Sequence, residues 1–77
     1  MKRDILIEFR GKKSQTEIAK EYGVSQQLWS RWENGNSTPL PHLMKRLEDD
    51  VGLPMEEIFF DVFNKENISK NQIKNEE

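Results

Sequence analysis

Cysteine is absent from the 77 residues, which removes disulfide staples, thiolate zinc ligands and a cysteine nucleophile together, and fits a reducing compartment. The only histidine is His42, so a zinc site or a histidine-based dyad would need distant carboxylates, and none stands at a recognisable spacing. His42 reads as a surface residue. Glu48, Asp49 and Asp50 lack the alternating ligands and central glycine of a calcium loop and read as a solvated surface. No stretch approaches the ~20 consecutive apolar residues that span a bilayer, and Met1, Lys2, Arg3 and Asp4 do not open a secretory leader. A cytoplasmic protein without a membrane partner is expected. Apolar residues are scarce at 34%, equal to the charged share, so the core must come from two Trp, four Phe, Tyr22 and scattered Leu, Ile and Val. A chain of this length covers only about 60% of the surface its unfolded form exposes. That leaves room for one compact domain and little for a catalytic cleft, so neither an enzyme nor a cofactor is expected.

The net charge of −2 opposes binding to a polyanion, because phosphate contacts require Lys and Arg to displace condensed counterions. The charge is unevenly spread. Lys2, Arg3, Arg10, Lys12, Lys13, Lys20 and Arg31 outnumber five acids in residues 1–38, whereas residues 39–77 carry five bases and nine acids. Such a split is a weak cue for a basic working face and an acidic remainder.

The apolar spacing is helical throughout. Ile5, Leu6 and Phe9 share one face of a first helix that closes near Arg10 or Gly11. Ser14, Gln15, Thr16 and Glu17 form a capping-box pattern that starts a second helix, with Ile18, Ala19 and Tyr22 inward and Gly23 at the turn. Ser25 caps a third helix that runs to Asn34 and Gly35. Leu40, Leu43, Met44 and Leu47 form the stripe of a fourth, and Val51 can extend it. Gly52 closes the fourth, and Pro54 is expected in the first turn of a fifth. Ile58, Phe59, Phe60, Val62 and Phe63 are more large groups than one helical face can hold. Residues 64–77 are almost wholly polar and are expected to form a flexible tail after a domain over 1–63.

Two short helices joined by a tight turn through Gly23 carry the functional signal. With Leu28 at zero on the third helix, Trp32 falls near ~40° and Trp29 near ~100°, while Gln26, Gln27, Ser30, Arg31 and Asn34 span roughly 160–300°. An ordinary solvated face carries Lys and Glu. This one carries amides, a hydroxyl and a guanidinium, groups that pair with base edges: Gln or Asn with adenine, Arg with guanine. Plain surface decoration is the competing reading for the two glutamines by themselves, and the caps and turn around them weaken it.

The segment S-Q-T-E-I-A-K-E-Y-G-V-S-Q-Q-L-W-S-R-W-E-N-G, Ser14 to Gly35, resembles the helix-turn-helix of the Cro and cI repressor-like (XRE) family. The likeness continues through Thr38 and Pro39 and the Leu40 to Leu47 stripe to G-L-P-M-E-E-I-F, Gly52 to Phe59. It implies an all-α, five-helix lambda-repressor-like domain that binds double-stranded DNA as a transcriptional regulator, of the repressor kind. By that resemblance Gln26, Gln27 and Arg31 read bases, Gln15 contacts a phosphate, Ser25, Ser30 and Asn34 lie nearer sugar-phosphate, and Asn36, Ser37 and Thr38 follow the backbone. Glu33 matches an acid that pairs with an arginine of the first helix, for which Arg10 is the candidate, although the Arg10 to Gln15 connector is shorter than the family's usual one. Trp29 and Trp32 match core anchors rather than stacking groups. Leu28 is either core or a contact for a thymine methyl. A homodimer on DNA is expected, with Phe59, Phe60, Val62 and Phe63 as its candidate surface, although the same residues could close the core of a monomer. The alternative function is an antitoxin or anti-repressor that binds protein through its acidic half.

Overall fold

The computed structural model describes residues 2–63; Met1 and the tail expected over 64–77 lie outside the described residues. The fold is all-α. Its helices are α1 (Asp4–Arg10), α2 (Gln15–Glu21), α3 (Gln26–Glu33), α4 (Pro41–Val51) and α5 (Met55–Ile58), followed by a helical stretch, α6, over 60–63. No strand occurs among the described residues.

The helix ends follow from local chemistry. Ser14 Oγ accepts from the Glu17 amide at 3.1 Å while Glu17 Oε1 accepts from the Ser14 amide at 2.8 Å, the reciprocal pair that satisfies two orphan donors at the start of α2. Ser25 Oγ accepts from the Leu28 amide at 3.1 Å and starts α3. Such a cap is worth about 1 kcal/mol. Both helices end alike. Gly23 (φ 69°) and Gly35 (φ 76°) take the left-handed conformation, the Val24 and Asn36 amides donate back to the Ala19 and Arg31 carbonyls, and the two glycine amides donate to Lys20 and Trp32. The turn between α2 and α3 is therefore set by hydrogen bonds rather than by loop slack.

Two expected boundaries differ. Leu40 lies outside α4 as its extended N-cap and is 63% exposed, because Pro41 takes the first helical position and a residue before proline is pushed out of helical geometry. The buried stripe therefore starts at Leu43. Pro54 likewise stands at the N-cap of α5, not in its first turn. The crowded apolar run is resolved by a break at Phe59: α5 ends at Ile58 and α6 resumes at 60, Ile58 and Phe59 enter the core, and Val62 and Phe63 pack on its edge.

α1 and α2 pack on α3, and α5 packs on α4. The core is Leu6, Ile18, Ala19, Tyr22, Trp29, Trp32, Leu47, Ile58 and Phe59. A row of rings crosses it: Phe9 meets Tyr22 edge-on at 6.5 Å, and Tyr22 to Trp29 and Trp29 to Trp32 each stand 5.4 Å apart. Each such contact adds about 0.5–1.5 kcal/mol beyond the area it buries. Tyr22 also ties α4 down. Its hydroxyl donates to Asp50 Oδ2 at 2.6 Å, and the Arg46 guanidinium lies over its ring at 4.0 Å. Burial, followed by that bond to a carboxylate, pushes the phenol well above its ordinary range, so it stays a donor at any physiological pH.

The two buried indoles are in different situations. Trp29 Nε1 donates to Glu33 Oε2 at 2.6 Å, whereas among the described residues the buried Trp32 Nε1 has no acceptor. An unpaired buried donor costs about 1–3 kcal/mol, and a bond to a charged acceptor is worth about as much. Trp29→Phe is therefore expected to lower the melting temperature more than Trp32→Phe, by roughly 10 °C for a domain of this size. Thermal unfolding followed by circular dichroism checks the order, and equal losses would contradict the account.

Candidate nucleic-acid interface

α3 is pinned to the domain along its inner side and open along its outer one. Leu28 is half-buried against the core, Trp29 and Trp32 are fully inside, and Gln27 and Arg31 are exposed. No described acid lies at ion-pair distance from Arg31, Lys2, Lys12 or Lys20. The basic excess of the first half is thinner than its residue count, because Arg3 and Arg10 turn inward to Asp61 and Glu33, and Lys13 pairs with Glu21 on the surface.

The inner side is organised by one carboxylate. Glu33 is 3% exposed and accepts four bonds: from Arg10 Nε at 2.6 Å and Nη2 at 3.3 Å, from Gln15 Nε2 at 2.9 Å and from Trp29 Nε1 at 2.6 Å. Two carboxylate oxygens offer about four lone-pair sites, so the group is saturated. Arg10 reaches it because α1 packs on α3, and the Lys13 carbonyl of the short connector accepts from Arg10 Nη1 at 3.0 Å.

The network has a direction, and this orients the interface. A carboxylate only accepts, so Gln15 must turn its NH2 towards Glu33, which turns its amide oxygen towards Gln26. Gln26 Nε2 donates to that oxygen at 2.7 Å. Gln15 and Gln26 are the first residues of α2 and α3, so the bond fixes both helix starts and the Gln26 amide plane while using one of its two donors.

The other expected contact residues are held as follows. Ser25 Oγ is engaged in its cap. Asn34 Nδ2 donates to the Ser30 carbonyl at 3.0 Å and its Oγ at 3.4 Å, closing α3. Asn36 and Thr38 are exposed and Ser37 is half-buried. At the candidate self-association surface one residue is corrected: Phe59 is fully buried in the core and presents nothing to a partner, since the break between α5 and α6 turns it inward. Phe60 is 54% exposed. Val62 and Phe63 are half-buried.

Arg3, one of the bases that make up the charge excess of the first half, has a side chain only 2% exposed. Its Nε and Nη2 form a fork on Asp61 at 2.9 and 3.0 Å, and its Nη1 donates to the Trp32 and Ser37 carbonyls at 2.9 and 2.7 Å. The one available signal was Asp61, an acid inside an otherwise apolar run. Among the described residues no three His, Cys, Asp or Glu side chains converge as a metal-holding group, and no helix is long and apolar enough to cross a membrane.

Burial pushes the Glu33 carboxyl up, but the bonds from Arg10, Gln15 and Trp29 and the Arg10 charge outweigh it and hold the group below its ordinary 4.5. The bond from Arg3, against burial, lowers Asp61 in the same way. A depressed folded-state value means that the unfolded chain binds protons first as acid is added. The stability from both groups is thus complete above the ordinary carboxylate range and is lost as pH falls through the folded values. The melting temperature is expected to fall below about pH 4.5. Glu33→Gln is expected to cost about 3 kcal/mol at neutral pH, since it breaks an ion pair from its buried side, and to make the acid limb shallower. Melting curves of wild type and variant between about pH 3 and pH 7 measure both, and parallel acid limbs would contradict the assignment to Glu33.

Comparison with protein-family models matches residues 6–58 to the helix-turn-helix family HTH_3. Comparison with curated proteins and with solved structures gave no match. The matched stretch takes in the paired glutamines, the turn at Gly23, the whole of α3 and the Arg10 to Glu33 pair behind it. The chain therefore belongs to the helix-turn-helix family of the XRE, Cro and cI type, and is a DNA-binding regulator of that kind.

Proposed function

We propose that this chain is a sequence-specific transcriptional repressor that acts without catalysis or cofactor and lays α3 in the major groove of an operator as a homodimer. The observation that carries this is the outward face of α3: Gln27 and Arg31 stand exposed on a helix whose opposite side is locked by Trp29, Trp32 and Glu33, and Gln26 beside them has its amide plane set by Gln15. A reading head needs rigid positions and open hydrogen-bonding edges, and this helix has both. Gln26, Gln27 and Arg31 take the base edges. Gln15, Ser25, Ser30, Asn34, Asn36, Ser37 and Thr38 take the sugar-phosphate side.

Few unpaired bases surround α3, so non-specific attraction is small and base contacts carry a large share of the affinity. Selection of duplexes from a random library is expected to return a motif with two half-sites about one helical turn apart. On that site Gln27→Ala should weaken binding roughly 5- to 150-fold, equivalent to about 1–3 kcal/mol, and relax preference at one position. Gln15→Ala should weaken all sequences through the lost phosphate contact and, by releasing the Gln26 amide, also relax preference at the position Gln26 reads. Equal losses on operator and random DNA for Gln27→Ala would remove the base-reading role.

The dimer is assigned to the surface around Phe60, with the exposed edges of Val62 and Phe63. Phe60→Asp is expected to shift sedimentation to monomer, whereas Phe63→Asp should lower stability because Phe63 also packs on the core. A wild type that sediments as a monomer at every concentration, and binds an operator without symmetry, removes the dimer. The acidic second half supports the competing protein-binding role, and salt separates the two. Affinity for duplex that does not fall with added salt would favour the protein partner.

A further inference from the structure

Arg3 occupies a position that neither α3 nor its contact loop accounts for. Its backbone amide donates to the Glu33 carbonyl at 2.7 Å, and its guanidinium spans the Trp32 carbonyl, the Ser37 carbonyl, Thr38 Oγ1 at 3.5 Å and both oxygens of Asp61. It also lies 4.9 Å from the centre of the Phe59 ring. Five acceptor atoms in three separate parts of the chain thus meet one planar group that is almost wholly out of water. Trp32 is the last turn of α3, Ser37 and Thr38 form the loop that leaves it, and Asp61 lies in α6 between Phe60 and Val62.

We infer that Arg3, held by Asp61, is the positioning residue for the Ser37 and Thr38 loop on DNA, and that it links this loop to the self-association surface at α6. This rests on the DNA-reading function proposed above. A loop of Asn36, Ser37 and Thr38 has no helix of its own and would sample many conformations. The guanidinium holds it by one carbonyl and one hydroxyl. Asp61 matters because an arginine so buried needs its charge matched, and a two-pronged carboxylate fixes the plane of the fork and so the direction of Nη1 towards Ser37. Neither Arg3 nor Asp61 touches DNA in this arrangement. Their effect on binding passes through the loop, and dimer contacts that settle α6 settle the loop with it.

The experiment uses the full chain with Asp61→Asn, which keeps the shape and removes the charge, beside Arg3→Lys, which keeps the charge and removes the fork. Both are studied at a low temperature where circular dichroism shows each to be fully folded. A merely structural role lowers the melting temperature and leaves DNA affinity of the folded protein unchanged. The positioning role is expected to weaken binding about tenfold on operator and random duplex alike while leaving the slope of log affinity against log salt as in wild type, because Ser37 and Thr38 are neutral and release no counterion. Independently of DNA, backbone NMR order parameters of Ser37 and Thr38 should fall in Asp61→Asn while those within α2 stay as in wild type. Unchanged loop order and an unchanged affinity in folded Asp61→Asn overturn the inference. Lowered loop order in the variant, with a wild type that shows no salt-dependent DNA binding, overturns the DNA-reading function and leaves Arg3 as the anchor of the loop.

Discussion

The structure depends on one buried carboxylate. Glu33 is taken out of water at the end of α3, and the desolvation of an ion there is offset only because every lone pair meets a donor. The donors come from α1, the start of α2 and α3 itself, so the requirement to satisfy one charge brings three helices to a common point. Apolar side chains in place of the whole Arg10 to Glu33 pair need not cost stability, but they would leave Gln15 without a direction. The acceptor-only character of the carboxylate passes through Gln15 to the Gln26 amide, so a burial problem inside the domain becomes an oriented hydrogen-bonding edge on its surface.

Arg3 repeats the same physics with the sign reversed. Here a buried cation collects acceptors, from the end of α3, from the following loop and from α6. The two arginines thus both hold the C-terminal turn of α3, Arg10 through the Glu33 side chain and Arg3 through the Trp32 and Glu33 carbonyls. The row of rings from Phe9 to Trp32 adds apolar contact along α3. A chain with only 34% apolar residues closes its core with a few large groups, Trp29, Trp32 and Phe59 among them, all fully buried.

Much of the framework was legible in the residues. The capping box at Ser14, the cap at Ser25 and the glycines at 23 and 35 are local signals, each acting within a few positions of chain, and the structure places the ends of α2 and α3 where they point. Leu40 falls outside α4 because the proline after it fixes the boundary, which apolar spacing does not register, and Pro54 stands one position before the first turn that proline favours. Phe59 was assigned to a surface because a count of apolar groups does not say where a helix breaks. Arg10 and Glu33 were linked through the family resemblance, and the distances show how the short connector permits the pair.

What the sequence by itself determined is therefore what acts over one or two helical turns: where helices start and stop, which side of α3 is apolar, and which residues its other side offers. The fold alone decided which charges are buried and which polar groups meet. Arg3 and Asp61 are 58 positions apart, and Gln15, Gln26 and Glu33 come from two helices, so no periodicity or spacing rule connects them. Their contacts exist only once the core has closed, because a charge or an amide finds its partner by the cost of being left without one in a medium that excludes water.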